Sequence, residues 1–337
     1  MRMPLSKRDL AAECARYIGA TSLLGMLPAK AQLLVLDYHR IGDAEACPYD
    51  TEVFSATRDE LDAQVRFLKR RYRFITLDEA VEMVEKGKRS RSATVLLTFD
   101  DGYVDNYEIA FPVLSAHGVQ GVFFLPTAFI GTNHIPWWDT IAFIVKNSRK
   151  KVFQIGVRKV DLGAEGVPRA VRSVLRLYKS CADGDSGRFI AMLEEACDSA
   201  RPAGGQRCFM GWEEAAALVR GGMAVGSHTH RHEILSKLPE AEQLEELVVS
   251  RKILEERLGL VVDTVAYPVG LPDSFSLATQ AMAEKAGYRA AFSYYGGFNI
   301  PGETPRYDVR RVGIASPTSA RFRLQTTLAL ATGKYWF

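Results

Sequence analysis

Two short clusters hold most of the side chains that could do chemistry in this 337-residue chain. The first is Thr98-Phe99-Asp100-Asp101-Gly102, closing the apolar run Val95-Leu96-Leu97. Successive side chains of an extended segment alternate, so Asp100 and Asp101 point in different directions. One can ligate a metal while the other faces a water or a partner, and Gly102 permits a tight turn after them. Read plainly, the same residues are a loop with an Asp-Gly turn and a helix N-cap at Asp105. The second cluster is Gly226-Ser227-His228-Thr229-His230-Arg231-His232, with three of the chain's six histidines. His228 and His232 are four apart and share one side of a helical turn or compact loop. Neutral imidazoles there suit Zn2+ and related divalent ions. His230, between them, points away. A metalloprotease helix needs HExxH. Thr229 occupies the Glu position, so the proton acceptor must come from elsewhere. Asp101, His228 and His232 together make a two-histidine, one-carboxylate metal set with positions left for water and substrate. Asp100, beside the ligand, is placed to take a proton.

These clusters sit at the ends of strand-like runs. Candidate strands are Leu33–Tyr38, Arg73–Thr76, Thr94–Phe99, Gly121–Pro126, Met223–Ser227, Thr264–Tyr267, Ala290–Tyr294 and Val309–Ile314, bounded by Gly, Pro or Asp. Helix-period segments lie between them. Asp59–Arg70 turns Leu61, Val65 and Leu68 inward, and Gly118 stops the segment from Val104. Pro239–Leu258 places Leu244, Leu247, Val248, Arg251, Leu254 and Leu258 on one stripe before Gly259. The alternation predicts an α/β fold, a distorted (β/α) barrel of about seven or eight parallel strands with an inserted mainly helical segment. A dinucleotide fold would need GxGxxG after the first run, where Leu36-Asp37-Tyr38-His39-Arg40 stands, and no P-loop occurs. From residue 145 to residue 207, 13 Lys/Arg face 7 Asp/Glu, a net +6, and two helical runs, Pro168–Cys181 and Ser186–Ala200, are expected. This is the insert, a basic patch suited to an anionic lipid or glycan or simply to solvent. The expected layout is an N-terminal amphipathic helix in 1–32, a barrel over 33–316 with an insert at about 133–210, and a helical tail over 317–337.

Apolar residues make up 47% and charged residues 25%, which excludes a disordered, collagenous or coiled-coil chain. Lys+Arg 43 against Asp+Glu 40 gives +3, too even for a nucleic-acid binder. Cysteines 14, 47, 181, 197 and 208 are odd in number, irregular in spacing and contain no CxxC, which favours a reducing, cytoplasmic setting over a disulfide framework. The apolar stretch Tyr17–Pro28, after a basic start and before Ala29-Lys30-Ala31, has the outline of a signal peptide. That alternative would make the protein periplasmic or secreted. Asp9, Glu13 and Arg16 favour instead an amphipathic first helix with Leu10, Cys14, Tyr17 and Leu24 inward, or one resting peripherally on a membrane.

TFDDGY followed by GSHTHRHEILSKL resembles the first two motifs of the NodB-type polysaccharide deacetylases, carbohydrate esterase family 4. The resemblance runs from about Leu33 to Ile314 with the insert set aside. It implies that Asp101, His228 and His232 bind a divalent metal, usually Zn2+, with Co2+, Ni2+, Mn2+ or Fe2+ as alternatives, and that Asp100 is the general base. Two departures stand out. The late Leu-x-His that carries the general acid is absent, since no His follows His232. However, Val35-Leu36-Asp37-Tyr38-His39-Arg40-Ile41 is similar to the opening segment of circularly permuted members such as the poly-N-acetylglucosamine deacetylases. That similarity makes His39 the general acid, and its place at the end of an apolar strand puts it on the barrel face of Asp100. The third motif corresponds to Ala266-Tyr267-Pro268-Val269-Gly270, with Ala266 where an Arg orients the base. Arg310 or Arg311, with Arg311 preferred, is the expected substitute. Tyr267, Pro268 and the backbone of Val269 are expected to bind substrate and oxyanion. Trp137, Trp138 and Trp212 are candidate sugar-stacking residues. The resemblance implies hydrolysis of N-acetyl groups on a sugar of a polysaccharide, a lipid-linked oligosaccharide or a nucleotide sugar, releasing acetate. A metal-dependent hydrolase of cyclic amides and a catalytically weak glycan-binding relative are the competing expectations.

Overall fold

The computed structural model describes residues 7–17, 33–181, 185–204, 207–314 and 319–332. Twelve strands occur among them: β1 (Leu33–Tyr38), β2 (Arg40–Ile41), β3 (Phe54–Ala56), β4 (Arg73–Phe74), β5 (Thr94–Phe99), β6 (Gly121–Leu125), β7 (Val152–Ile155), β8 (Arg158–Asp161), β9 (Ala224–Ser227), β10 (Thr264–Ala266), β11 (Ala290–Phe292) and β12 (Val312–Gly313). Eight build one parallel sheet in the order β11-β10-β9-β6-β5-β1-β12, with β4 beside β5. A parallel bridge from Phe292 to Val309 joins the first strand of that order to the residues entering the last. The result is the distorted (β/α) barrel expected, shorter in several strands than the apolar runs suggest. Full burial of β1, β5 and β6 explains their mostly apolar composition, in which Asp37, Thr94 and Thr98 are the buried polar exceptions.

Register does much of the positioning. β1 pairs with β5 from Leu33↔Thr94 to Tyr38↔Phe99, so Asp37 faces Thr98 across the ladder, and His39 and Asp100 leave the same barrel end together. On the other side Asp37 pairs with Gly313, two residues past Arg311.

Helices cover the sheet where local signals place them. Thr57 and Thr76 each close a capping box at the start of Arg58–Lys69 and Leu77–Lys86. The segment after the Asp pair begins with a π-turn over Asn106–Ala110 and continues as Phe111–Ala116, with Gly118 at φ +61° ending it. Asp105 is no side-chain cap there. Its carboxylate instead accepts from the Ile41 N–H at 3.0 Å and Arg40 Nε at 2.8 Å, tying this segment to the end of β1.

The insert lies between β6 and β9 and has its own apolar core. Trp137–Lys146, Val167–Ser180 and Ser186–Cys197 pack through Ile141, Val145, Val174, Tyr178, Phe189 and Leu193. It is not wholly helical. β7 and β8 form an antiparallel hairpin with Gly156 at φ +55° in its turn. Phe153, Ile155 and Val160 alternate inward there, a period of two legible in the sequence.

Two helix faces differ from expectation. The N-terminal helix spans Lys7–Tyr17, and it is Ala12 that is buried, whereas Leu10, Cys14 and Tyr17 are exposed. The helix lies against the C-terminal helix Ser319–Thr332, and a small residue at the contact lets two helices approach closely. Leu24, residues 18–28 of the signal-like segment and residues 333–337 of the tail lie outside the described residues. Glu240–Leu258 buries Gln243, Glu246, Leu247, Ser250 and Leu254, while Val248 is exposed. Its buried face includes Glu246, which accepts hydrogen bonds from the histidine loop, described below. Among the described residues no helix is long and apolar enough to cross a membrane. The five cysteines are free.

Candidate metal centre and catalytic pocket

Asp101 Oδ1 lies 3.2 Å from His232 Nε2 and 3.5 Å from His228 Nε2. One ligand atom from each of these residues falls within 4.8 Å of the others, and all three residues are buried. The backbone is bent to achieve this. Of the five described non-glycine residues with positive φ, four lie here: Asp101 at +70°, Thr229 at +64°, His232 at +57° and Val269 at +64°. Each is a costly conformation, most of all for β-branched Thr and Val, and such strain persists where a site over-determines it. At Gly102, φ is +69° and an added Cβ would strike Ile130 at 2.8 Å, so the turn requires glycine. The His228–His232 segment is a compact loop, not a helical turn. His230 turns away to meet Thr127 Oγ1 through Nδ1 at 2.8 Å.

Supporting bonds fix the ligands. His228 Nδ1 donates to the Ala266 carbonyl at 2.8 Å, which leaves its Nε2 lone pair directed at the cluster. Glu246 Oε2 accepts the N–H groups of His230 at 3.0 Å and Arg231 at 2.7 Å, and Oε1 accepts from Arg231 Nε at 2.8 Å. Glu246 thus holds the strained loop from outside. Replacing Glu246 by alanine is expected to lower stability by about 2–3 kcal/mol, read as a lower urea midpoint, because two N–H groups and a guanidinium lose their acceptor.

Asp101 Oδ1 and His232 Nδ1 are buried without a hydrogen-bond partner among the described residues. A cation among Asp101, His228 and His232 would satisfy the first, and the donor set suits Zn2+ or a related divalent ion. Burial raises the Asp101 carboxyl, but His228 and His232 outweigh it and hold it well below the usual carboxylate range. Burial keeps His232 below its ordinary value, in the neutral form that ligates. A second triplet, Asp37, His39 and Asp100, is equally close. There the fully buried Arg311 already supplies a cation, and a second one would be repelled.

Arg311 grips Asp100 with both arms of its fork, Nη1 to Oδ1 and Nη2 to Oδ2, each at 2.7 Å. Nη1 also donates to Asp37 Oδ1 at 2.7 Å, and Nε donates to the Ser293 carbonyl at 3.0 Å. The guanidinium absent at Ala266 is therefore supplied from beside β12. Arg310 takes no part. It is exposed, 5.5 Å from the Tyr295 ring. Burial would raise Asp100, but Arg311 outweighs it, so Asp100 stays ionised. Asp37, deeper and flanked by Asp100, is pushed well above its usual range by burial. Its Oδ1 accepts from Thr98 Oγ1 at 2.5 Å, and its Oδ2 lies 3.5 Å from His39 Nδ1. Asp37 and Glu246 are the two residues that sequence reasoning missed. The ladder position of Asp37, two before His39 on one strand face, was the available signal for it. Nothing local marked Glu246.

These groups line one pocket of about 110 Å³, with His39, Asp100, Asp101, His228, His232 and Val269 around it. Trp138 forms a wall, its ring 4.6 Å from that of His232 and its Nε1 donating to Tyr103 Oη at 2.8 Å. Trp137 lines the pocket too. The Val269 N–H has no acceptor among the described residues. Three expected site residues are placed elsewhere. Tyr267 is buried in the core, stacked on Phe275 and donating to the Tyr307 carbonyl at 3.1 Å. Pro268 is buried and does not line the pocket, and Trp212 packs beside Gly131 and Arg257. A larger cavity of about 550 Å³, beside His134 and Arg201, contains none of the metal or acid–base groups.

The polysaccharide deacetylase family model matches residues 87–291, more than half of the chain. The chain belongs to the polysaccharide deacetylase family. Within this family it is 33% identical over 105 residues to YxkH of Bacillus subtilis (strain 168), across 31% of this chain and 35% of that protein. It is 27% identical over 138 residues to the poly-β-1,6-N-acetyl-D-glucosamine N-deacetylase of Staphylococcus epidermidis, across 38% of this chain and 46% of that enzyme. The match thus spans between about a third and a half of these relatives' length. Among solved structures, IcaB of Ammonifex degensii superposes with a TM-score of 0.59 at 22% identity, covering 91% of this chain and 100% of that one. The deacetylase PplD of Streptococcus pyogenes, solved with acetate, gives 0.57 at 16% identity, covering 88% and 98%. Both likenesses bear on the fold, which is that of a polysaccharide deacetylase.

Proposed function

We propose that this protein is a metal-dependent N-deacetylase that hydrolyses the acetamido group of an N-acetylated amino sugar, in a polysaccharide or its precursor, to acetate and a free amine. The observation that carries the reading is the Arg311-clamped Asp100 beside the Asp101–His228–His232 triplet, with His39 on the same small pocket. Asp101, His228 and His232 would hold the ion. A divalent cation bound there supplies Lewis acidity to the acetyl carbonyl and lowers the pKa of a water toward ~7. Asp100, ionised and oriented by Arg311, accepts the proton of the attacking water. The Val269 N–H is free to receive the developing oxyanion.

His39 then donates a proton from its Nε2 to the departing nitrogen, since an amide anion is a very poor leaving group. Asp37, 3.5 Å from His39 Nδ1, orients the ring; burial lowers the imidazole's pKa, and Asp101 and Asp100 pull the other way, toward the charged form. Collapse of the tetrahedral carbon breaks the C–N bond and leaves acetate and the amino sugar. Ala266 in place of the motif's Arg would favour a catalytically weak relative, but Arg311 holds Asp100 with both arms of its guanidinium, which supports an active enzyme. Five free thiols support a reducing compartment and hence a precursor made inside the cell as substrate.

The test is acetate and free amine released in equal amounts from chitooligosaccharides or β-1,6-linked N-acetylglucosamine oligomers by the zinc-loaded protein. His39→Ala is expected to keep its metal and lose roughly 10²–10⁴ in turnover. Loss of metal from that variant would make His39 a ligand and overturn its role. Hydrolysis of a cyclic imide with no acetate from either glycan would overturn the sugar substrate.

A further inference from the structure

The insert walls the catalytic pocket with the helix Val167–Ser180. Val171, Val174, Leu175 and Tyr178 face its core. Arg172, Arg176 and Lys179, at i, i+4 and i+7, share another face. Lys179 lines the catalytic pocket itself, its Nζ 5.9 Å from the Trp137 ring centroid. From there a groove of about 350 Å³ continues past His39 and Tyr294 to Arg172 and Arg176. Two carboxylates face this groove. Glu52 pairs with Arg172, and Asp50 accepts from the Glu52 N–H at 2.9 Å. Arg176 and Lys179 have no ion-pair partner among the described residues. An extended neutral sugar chain is gripped chiefly by aromatic faces and hydroxyl partners. This groove offers three cations against two carboxylates: Arg172 pairs with Glu52, Lys179 feels the charge of Asp50 without forming an ion pair, and Arg176 has no acidic partner among the described residues.

We propose that the groove binds an anionic oxygen group of the substrate, a phosphate or a carboxylate next to the scissile N-acetyl sugar, so that the protein acts on an acidic or phosphorylated glycan. The proposal rests on the deacetylase reading. The forked guanidinium of Arg176 and the point charge of Lys179 match a tetrahedral or planar oxyanion. Continuity of the groove with the pocket at His39 places that anion on the leaving-amine side.

The test compares acetate release by the zinc-loaded full chain from three matched N-acetylglucosamine substrates: neutral, phosphate-bearing and linked to a uronic acid. Binding of N-acetylglucosamine 1-phosphate and of methyl N-acetylglucosaminide is followed in parallel by titration calorimetry, which needs no turnover. One anionic substrate is expected to exceed the neutral one in kcat/KM by roughly tenfold or more, as charge-assisted hydrogen bonds of this kind allow. Which anionic substrate is preferred tells phosphate from carboxylate. The preference should fall about tenfold in Arg176→Glu and in Lys179→Ala, and weaken with salt. It should persist in Arg169→Glu, two turns before Arg176 on the same helix and outside the groove. Equal acetate from neutral and anionic substrates, or a preference untouched by Arg176→Glu, overturns the anion site and leaves the deacetylase reading standing. No acetate from any substrate, with phosphosugar binding still lost in Arg176→Glu, sinks the deacetylase reading and supports the anion site.

Discussion

Arg311→Met is expected to cost about 3–5 kcal/mol of stability and at least a hundredfold in turnover. Arg311 is fully buried and its guanidinium is shared by two buried carboxylates, with contacts of 2.7 Å to both. Removing it leaves Asp37 and Asp100 facing each other with no cation between them. Breaking a buried pair from one side is far costlier than never having built it, because the surviving charge stays desolvated. Catalysis suffers separately, since Asp100 loses both the fork that orients it and the charge that keeps it ionised. Urea unfolding and acetate release read the two effects. Arg311→Lys keeps the charge and loses the fork, so it should recover stability better than turnover. A wild-type unfolding midpoint and wild-type turnover in Arg311→Met would remove Arg311 from the account.

Asp101→Ala is expected to abolish both metal retention and acetate release. A cation that binds only the folded state stabilises it by about 2.7 kcal/mol at a hundredfold excess over its Kd. Zinc should therefore raise the melting temperature of the wild type and leave that of Asp101→Ala where it is. His228→Ala should behave in the same way. A zinc-dependent rise that survives in both variants would place the ion elsewhere, with the Asp37–His39–Asp100 triplet as the next candidate.

The barrel was legible because its inner strands are buried on both faces and so read as mostly apolar runs, with chemistry at their ends. Asp100, Asp101, His228 and His232 were legible for the same reason, as polar clusters closing such runs. What escaped was whatever depends on partners distant in sequence. Asp37 reads as one polar break in an apolar strand, and only the register with Thr98 and Gly313 places it between Arg311 and His39. Glu246 looks like one more exposed helical carboxylate, yet it is buried and accepts the N–H groups of His230 and Arg231. Tyr267 was drawn into the site by its motif, but an aromatic at the end of a short buried strand packs on Phe275 instead. The Lys7–Tyr17 helix misled through its large residues, because the contact it makes favours Ala12.

The most direct test of the central claim is acetate release from N-acetylglucosamine oligomers by one protein sample in three states: zinc-loaded, stripped by a chelator, and reloaded with zinc. Acetate should appear in the first and third states and vanish in the second, with Asp101→Ala silent in all three. Acetate release undiminished by complete removal of the metal, or none from a protein with one zinc bound per chain, would contradict it.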